Sequence, residues 1–369
     1  MSDAAADRQI EQVRRLLNPR NVVIVGATER PTSWAGLTRD NLQRFGFPGE
    51  IYAVNPRYGS LWDGPCYPDI ASLPETPDHL VVLTPARAAA STLEQGARAG
   101  ARSATVVASG FGEDGSATGP GYAADLREVV TRTGIAMSGP NCLGNICASS
   151  RLVTLTDRRL TEVRDGPVAI VAQSGGVAMA INRRLAERGV YAGHVITSGN
   201  EIGLVTADYI DYLVSTGRTR LVALFLEGLG DPKRFLAAVE RAREANVLVV
   251  ALKIGGSQRS RQAAQAHTGA LAGTLEAFDA VAGRAGVLRV ETIDEVVDAA
   301  DGLAAGPRAG GAGSPPSPSP AVPAACWRRA RSAAALPSLT WNRRRWRRSA
   351  PCWVSGAVSA TRWTLVTPA

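Results

Sequence analysis

The stretch PVAIVAQSGGVAMA, residues 167–180, reads as a strand that runs through a tight turn into a helix. Its apolar run from Val168 to Ala172 does not alternate with polar residues. A strand of that kind is covered on both faces, as in a parallel sheet with helices above and below. The turn Ser174-Gly175-Gly176 opens the helix, and bare backbone amides at a positive helix end favour an anion such as phosphate. Taken alone, the same S-G-G is also an ordinary tight turn.

The pattern repeats in both directions. On the C-terminal side AGHVIT (192–197), RLVALFL (220–226), NVLVVAL (246–252) and VLRV (287–290) alternate with amphipathic stretches. On the N-terminal side NVVIV (21–25), EIYAV (50–54), HLVVL (79–83), SATVVA (103–108) and IAM (135–137) do the same. The fold class is therefore α/β, with two doubly wound parallel-sheet domains. The first is expected over residues 10–150 and the second over 160–306, joined between Ile146 and Gly166.

Length and composition agree with two domains: 369 residues, 45% of them hydrophobic. No apolar run approaches the roughly 20 residues of a membrane span. The start, MSDAAADRQIEQVRRLL, has no apolar region of the secretory kind. The five cysteines (Cys66, Cys142, Cys147, Cys326, Cys352) have neither metal-ligand spacing nor a disulfide framework, so a reduced cytoplasm and no bound metal are expected. The net charge of +8 is misleading, because residues 307–369 hold ten arginines and no Asp or Glu. Removing those ten from the 41 Lys and Arg leaves 31 against 33 acidic residues in 1–306. The near-neutral body gives no argument for nucleic acid.

In doubly wound sheets, ligands sit beyond the carboxyl ends of the strands. There the first unit carries Gly26-Ala27-Thr28 with Ser33 and Gly36, then Asn55-Pro56-Arg57, Thr84-Pro85-Ala86, Ser109-Gly110-Phe111-Gly112-Glu113 and Gly139-Pro140-Asn141-Cys142-Leu143-Gly144. These small and polar residues let the backbone approach a long, thin ligand. The dinucleotide fingerprint is incomplete, and no acidic residue ends the second strand to hold an NAD ribose, which weakens a dehydrogenase reading. Arg57 would suit a phosphorylated ribose, such as the 3′-phospho-ADP end of coenzyme A; it equally fits a solvated arginine in a plain turn.

Two residues of the second unit need a reason. Glu227 ends the apolar strand LVALFLE, where a carboxylate has no packing role. His267 lies in RQAAQAHTGALAG (261–273), among residues too small to pack against it. A solvated strand-end carboxylate and a helix-capping histidine ahead of Thr268 and Gly269 are the plain alternatives. Gly255, Gly256 and Ser257 begin a loop able to move His267. His79 and His194 stand at strand starts and read as structural. Cys142 has no histidine close in motif terms and reads as a small buried residue.

As a set, GAT…S..G, VNPR, LTPA, SGF.E, GPNCLG, QSGG, LFLEG and AHTGALAG resemble the nucleoside-diphosphate-forming (ADP-forming) acyl-CoA synthetases, such as acetate–CoA ligases, in the part related to the succinyl-CoA synthetase alpha subunit. The resemblance covers about Asn18 to Leu303, with Ala266 a small departure before the histidine. It implies a Rossmann-like CoA-binding domain followed by a flavodoxin-like ligase domain. CoA would be held by Gly26, Thr28, Ser33, Asn55, Pro56, Arg57, Thr84, Pro85, Ser109, Gly110, Phe111 and Asn141. Phosphate would be held by Ser174, Gly175, Gly176 and Gly269. His267 would carry the phosphoryl group, oriented by Glu227. The implied partners are a small carboxylic acid and an ATP-grasp (beta-type) subunit or downstream module supplying ATP/ADP and Mg²⁺; a homodimer is also open. A non-catalytic CoA-binding regulator and the CoA-binding part of a protein acyltransferase remain alternatives. The acid itself is not readable.

Past Gly306 the sequence changes character, with five of the seven tryptophans in the last 63 residues and no usable periodicity. One reading is a disordered basic arm. The expected reading is a shifted frame that cuts the family's sequence short. Taking the third base of each codon with the next two turns Cys326/Trp327 into Leu and Trp363/Thr364 into Asp. The same frame permits S-G-G-A-G-x-V-L-A-A and V-G-N-P-V-D, landmarks of the family's next domain. The tail is accordingly expected to have no packed fold.

Overall fold

The computed structural model describes residues 3–254 and 275–305, all within one compact unit. The expectations for His267, Gly269, the Gly255–Ser257 loop and the tail 307–369 lie outside the described residues.

Two largely parallel sheets form the framework, as the continuously apolar strands predict. Helix α1 (Asp3–Leu17) precedes β1 (Val22–Val25), α2 (Trp34–Arg44), β2 (Ile51–Val54), the hairpin β3 (Ser60–Leu61) and β4 (Gly64–Tyr67), β5 (His79–Val82), α3 (Ala86–Arg98), β6 (Ser103–Val106), α4 (Gly119–Thr133) and β7 (Ala136–Ser138). Their order is β3-β4-β2-β1-β5-β6-β7. All four residues of β1 are buried, and Val22 pairs in parallel with Ile51 on one side and His79 on the other. The chain steps from β1 to β2 and then crosses to β5. In sheets of this kind, ligands sit at such a change of direction, here beyond the ends of β1 and β5.

The second sheet comprises β8 (Asn145–Cys147), β9 (Leu152–Val153), β10 (Val168–Ala172), β11 (Ala192–Thr197), β12 (Leu221–Leu226), β13 (Leu248–Lys253) and β14 (Leu288–Val290). Its helices are α5 (Gly175–Glu187), α6 (Thr206–Ser215), α7 (Pro232–Glu244), α8 (Leu275–Ala285) and α9 (Ile293–Ala305). The order β14-β13-β12-β10-β11-β8-β9 places the reversal between β10 and β12. Helix starts follow capping chemistry: Ser33 accepts from Gly36 N, Ser174 from Val177 N, and Asp231 from Arg234 N with Pro232 in the first turn.

Two short antiparallel pairs are absent from the sequence reading. One is β3–β4. The other, β8–β9, occupies the expected joint between domains and pairs antiparallel with β11, His194 opposite Cys147. Residues 145–153 therefore extend the second sheet. The two sheets also share a core: one apolar cluster includes Val22 and Ile24 together with Ala169, Val171 and Val222. Polar contacts join the same layers. Asn41 Nδ2 donates to Leu155 O at 2.6 Å, Arg44 to Leu160 O at 3.0 Å, and Asn18 Nδ2 to the Tyr212 hydroxyl at 3.1 Å.

Candidate functional site

The reversal of the second sheet brings Gln173, Ser174, Gly175 and Gly176 next to Glu227. Ser174 Oγ is occupied in capping Val177 N at 3.4 Å, so what the turn offers a ligand is the backbone of the first helical turn. Gly176 is exposed, and a Cβ placed on it would have only Ser174 Oγ near, at 4.0 Å. Gly175 is different: a Cβ there would lie 2.4 Å from Leu143 Cγ. The turn is thus tightly backed on one side and open on the other, the arrangement a helix-end anion site needs.

Glu227 is only 4% exposed. Its backbone N–H donates to Gln173 Oε1 at 2.6 Å, and the next N–H, of Gly228, donates to the same oxygen at 3.0 Å. Gln173 Nε2 returns a bond to Gly228 O at 2.9 Å. On the far side Lys253, also buried, donates from Nζ to Glu227 O at 2.8 Å and to Ile254 O at 2.6 Å. Burial lowers the Lys253 ammonium's affinity for its proton, while the Glu227 charge works against that. The sequence reading missed both Gln173 and Lys253. A lysine at a strand's final position is a signal of the same kind as the Glu227 that it caught.

A third group beside the turn was also missed. The segment after β11 carries Asn200 and Glu201. Glu201 Oε1 accepts from Ser198 Oγ at 2.8 Å and Thr206 Oγ1 at 2.6 Å. Burial pushes its carboxyl above the usual carboxylate range, against hydrogen bonds from Thr206, Ser198 and Gln173. Nothing in the string GNE distinguishes it from a loop.

At the first sheet, the expected cofactor residues divide into two groups. Several already use their polar groups inside the loops. Asn55 Nδ2 donates to Ala27 O at 2.7 Å and its Oδ1 accepts from Arg57 N at 2.9 Å, tying the ends of β1 and β2 together. Thr28 and Ser33 hydroxyls meet at 3.3 Å, and Thr84 meets Thr92 at 3.3 Å. The amides of Gly110 and Phe111 donate to the two oxygens of Glu113, at 2.6 and 2.9 Å, and the Phe111 ring is buried in the core. The other group faces outward: Pro56, Arg57, Pro85 and Ser109 are exposed, as are Arg30 on the loop after β1 and Trp34 at the start of α2. Gly26 adopts φ +90°, open to glycine, and a Cβ there would come 3.3 Å from the Leu83 carbonyl carbon. Two exposed guanidiniums on a carboxyl-edge surface with close backbone approach suit an elongated ligand carrying phosphates.

The segment 139–144 connects the two sites. Asn141 N donates to Ala108 O at 2.9 Å, and its side chain, at φ 58°, donates to Asn200 Oδ1 at 3.2 Å. Asn200 Nδ2 in turn reaches Glu113 Oε2 at 3.2 Å. Two residues on, Thr197 Oγ1 accepts from Leu143 N at 3.0 Å and donates to Gly144 O at 2.6 Å. The Leu143 side chain then rests on Gly175. The loop expected to touch CoA is thereby continuous with the support of the Ser174–Gly176 turn.

The remaining candidates are structural. Cys142 is buried with its thiol against Val106 O at 3.3 Å, and burial pushes it up to about 11, away from thiolate chemistry. His79 is fully buried between Ser103 Oγ at 2.9 Å and Thr105 Oγ1 at 3.2 Å, and burial lowers it to about 4. His194 is buried beside the Tyr212 ring. Among the described residues no group of three or more His, Cys, Asp or Glu is placed to hold a metal ion, and no helix is long and apolar enough to cross a membrane.

Comparison with known proteins finds two family models, one on each side of residues 149–164. Residues 20–148 match the model of a CoA binding domain, and residues 165–303 match the succinyl-CoA ligase like flavodoxin domain. The chain is 32% identical over 286 residues to acetate–CoA ligase [ADP-forming] I of Archaeoglobus fulgidus, covering 78% of this chain and 41% of that protein. It is 29% identical to the alpha subunit of acetate–CoA ligase [ADP-forming] I of Pyrococcus furiosus, covering 78% of this chain and 62% of that one. The chain thus spans less than two thirds of the length of each of these relatives. Among solved structures, it resembles the dinucleotide forming acetyl-coenzyme A synthetase 1 of Ca. Korarchaeum cryptofilum in complex with phosphate and ADP, with TM-score 0.74 and 25% identity over 80% of this chain and 63% of that one.

Proposed function

The chain belongs to the nucleoside-diphosphate-forming acyl-CoA synthetase family, and from that premise we propose that it is the alpha-type part of an ADP-forming acyl-CoA synthetase, working through an acyl phosphate and a phosphoryl group carried on His267. The observation that carries the reading is Glu227, a buried carboxylate at the reversal of the second sheet beside the open first turn of α5. A protein that only bound CoA would need neither.

In this reading CoA lies along the carboxyl edge of the first sheet, with Arg57 and Arg30 on its phosphates, and its acyl thioester reaches toward Gly175 and Gly176. Phosphate held there attacks the thioester carbonyl; the C–S bond breaks and the CoA thiolate departs, leaving acyl phosphate. One imidazole nitrogen of His267 then attacks phosphorus, and the P–O bond to the acyl group breaks to release the carboxylate. Glu227 accepts the N–H of the other ring nitrogen and offsets the positive charge that forms there. A nucleotide-holding ATP-grasp unit, on a beta-type subunit or a downstream module, takes the phosphoryl group to ADP. Run in reverse, the sequence makes acyl-CoA from acid, CoA and ATP. The carboxylic acid stays unassigned.

The test is phosphoryl labelling. With a complementing ATP-grasp subunit and γ-labelled ATP, the chain should gain acid-labile, base-stable label. That label is expected to vanish in His267→Asn and to form at least tenfold more slowly in Glu227→Gln. Full labelling of His267→Asn overturns the reading.

A further inference from the structure

The peptide of Glu227 is held at both ends by side chains from the strands on either side. Gln173, one residue past β10, takes its N–H at 2.6 Å; Lys253, the last residue of β13, takes its C=O at 2.8 Å. Leu226 and Lys253 are register partners, so the lysine stands directly beside the point where the chain leaves β12. Two neutral carbonyls do not offset the cost of burying an ammonium; such a group needs an opposite charge. Among the described residues, the charged group that acts on it is Glu227.

We propose that Lys253 is a positioning residue of this site: with Gln173 it fixes the backbone that aims Glu227, and its charge holds the Glu227 carboxylate ionised. An ionised, immobile carboxylate is what an imidazole needs in order to present one defined nitrogen to phosphorus. The use made of this device rests on the proposed function, but its geometry does not.

The experiment is a titration of the full chain carrying carbon-13 glutamate, with the Glu227 signal assigned by its loss in Glu227→Gln. In Lys253→Met the Glu227 midpoint is expected to rise by about one pH unit, a tenfold change in proton affinity, because a neighbouring positive charge is gone. Lys253→Arg should keep it near the wild-type value. An unmoved midpoint in a folded Lys253→Met variant overturns the proposal. Should that variant fail to fold, the reciprocal measurement decides: the Lys253 midpoint in Glu227→Gln must fall, and an unchanged midpoint overturns it equally. These titrations need no turnover. A chain with coupled midpoints that never labels at His267 defeats the proposed function alone, whereas labelling without coupling defeats this inference alone.

Discussion

Leu143 lies directly against Gly175: a Cβ on the glycine would fall 2.4 Å from Leu143 Cγ and 3.0 Å from its Cβ. Leu143 belongs to the loop that closes the first sheet, and Gly175 begins α5, the helix expected to hold phosphate at its start. Gly175→Ala must therefore push these layers apart. It is expected to cost about 1–3 kcal/mol by overpacking and to weaken binding of inorganic phosphate. Urea unfolding and titration calorimetry check both, and a neutral substitution would mean the helix start tolerates displacement.

Glu113 acts as an internal anion, receiving the amides of Gly110 and Phe111 and the side chain of Asn200. Bonds of this charge-assisted kind contribute about 1.5–3 kcal/mol. Glu113→Gln keeps the shape and loses the charge. It should lower stability by about 1–2 kcal/mol and loosen Ser109, visible as a several-fold weaker affinity for CoA. Equal affinity in the variant would remove this loop from the binding surface.

His79 makes stability fall in acid. Burial lowers it from 6.5 to about 4, so the unfolded chain takes up a proton that the folded chain refuses. Its contribution is complete above about pH 6.5 and is lost as pH drops toward 4, by roughly 3 kcal/mol at the bottom of that window. Asp78 next to it is held low despite burial, by bonds from Arg102 and Arg20, and adds its own loss at still lower pH. The difference between the unfolding free energies of the wild type and His79→Gln, followed from pH 7 to 4, should trace the histidine part alone.

Arg57 is exposed and makes no ion pair among the described residues. If it meets a ligand phosphate, Arg57→Ala should weaken CoA about tenfold, in keeping with a charge-assisted hydrogen bond. The midpoint of thermal unfolding should not move. NAD should not bind the wild type at the same concentrations, since Asn55 stands where a ribose carboxylate would be and is engaged with Ala27. Tighter binding of NAD than of CoA would reverse the assignment.

The sheets were legible because buried parallel strands such as LVALFL are continuous apolar runs with nothing else to be. Their pairing was legible only as a class. NIC and LV, at 145–147 and 152–153, are too short to show a period, so the two strands of the second sheet that overlap the start of the expected joint went unread. In the site, Glu227 stood out because a carboxylate after six apolar residues has no packing use. Gln173, Asn200 and Glu201 did not, since each acts through what it touches from another strand. Asn55, Thr28, Gly110 and Phe111 sat where expected, yet their polar atoms serve the loops themselves. Only the fold brings such partners together; spacing along the chain does not.

The antiparallel strand β8 also limits how the molecule can be taken apart. It covers the flank of β11, all six of whose residues are buried. A fragment starting at residue 160 would lack β8 and β9 and leave that apolar strand as a raw border, with a row of unmet backbone donors and acceptors. Such a half should clump by strand addition rather than behave as a soluble module. A cut made ahead of Asn145, keeping β8 with the second sheet, leaves that border closed.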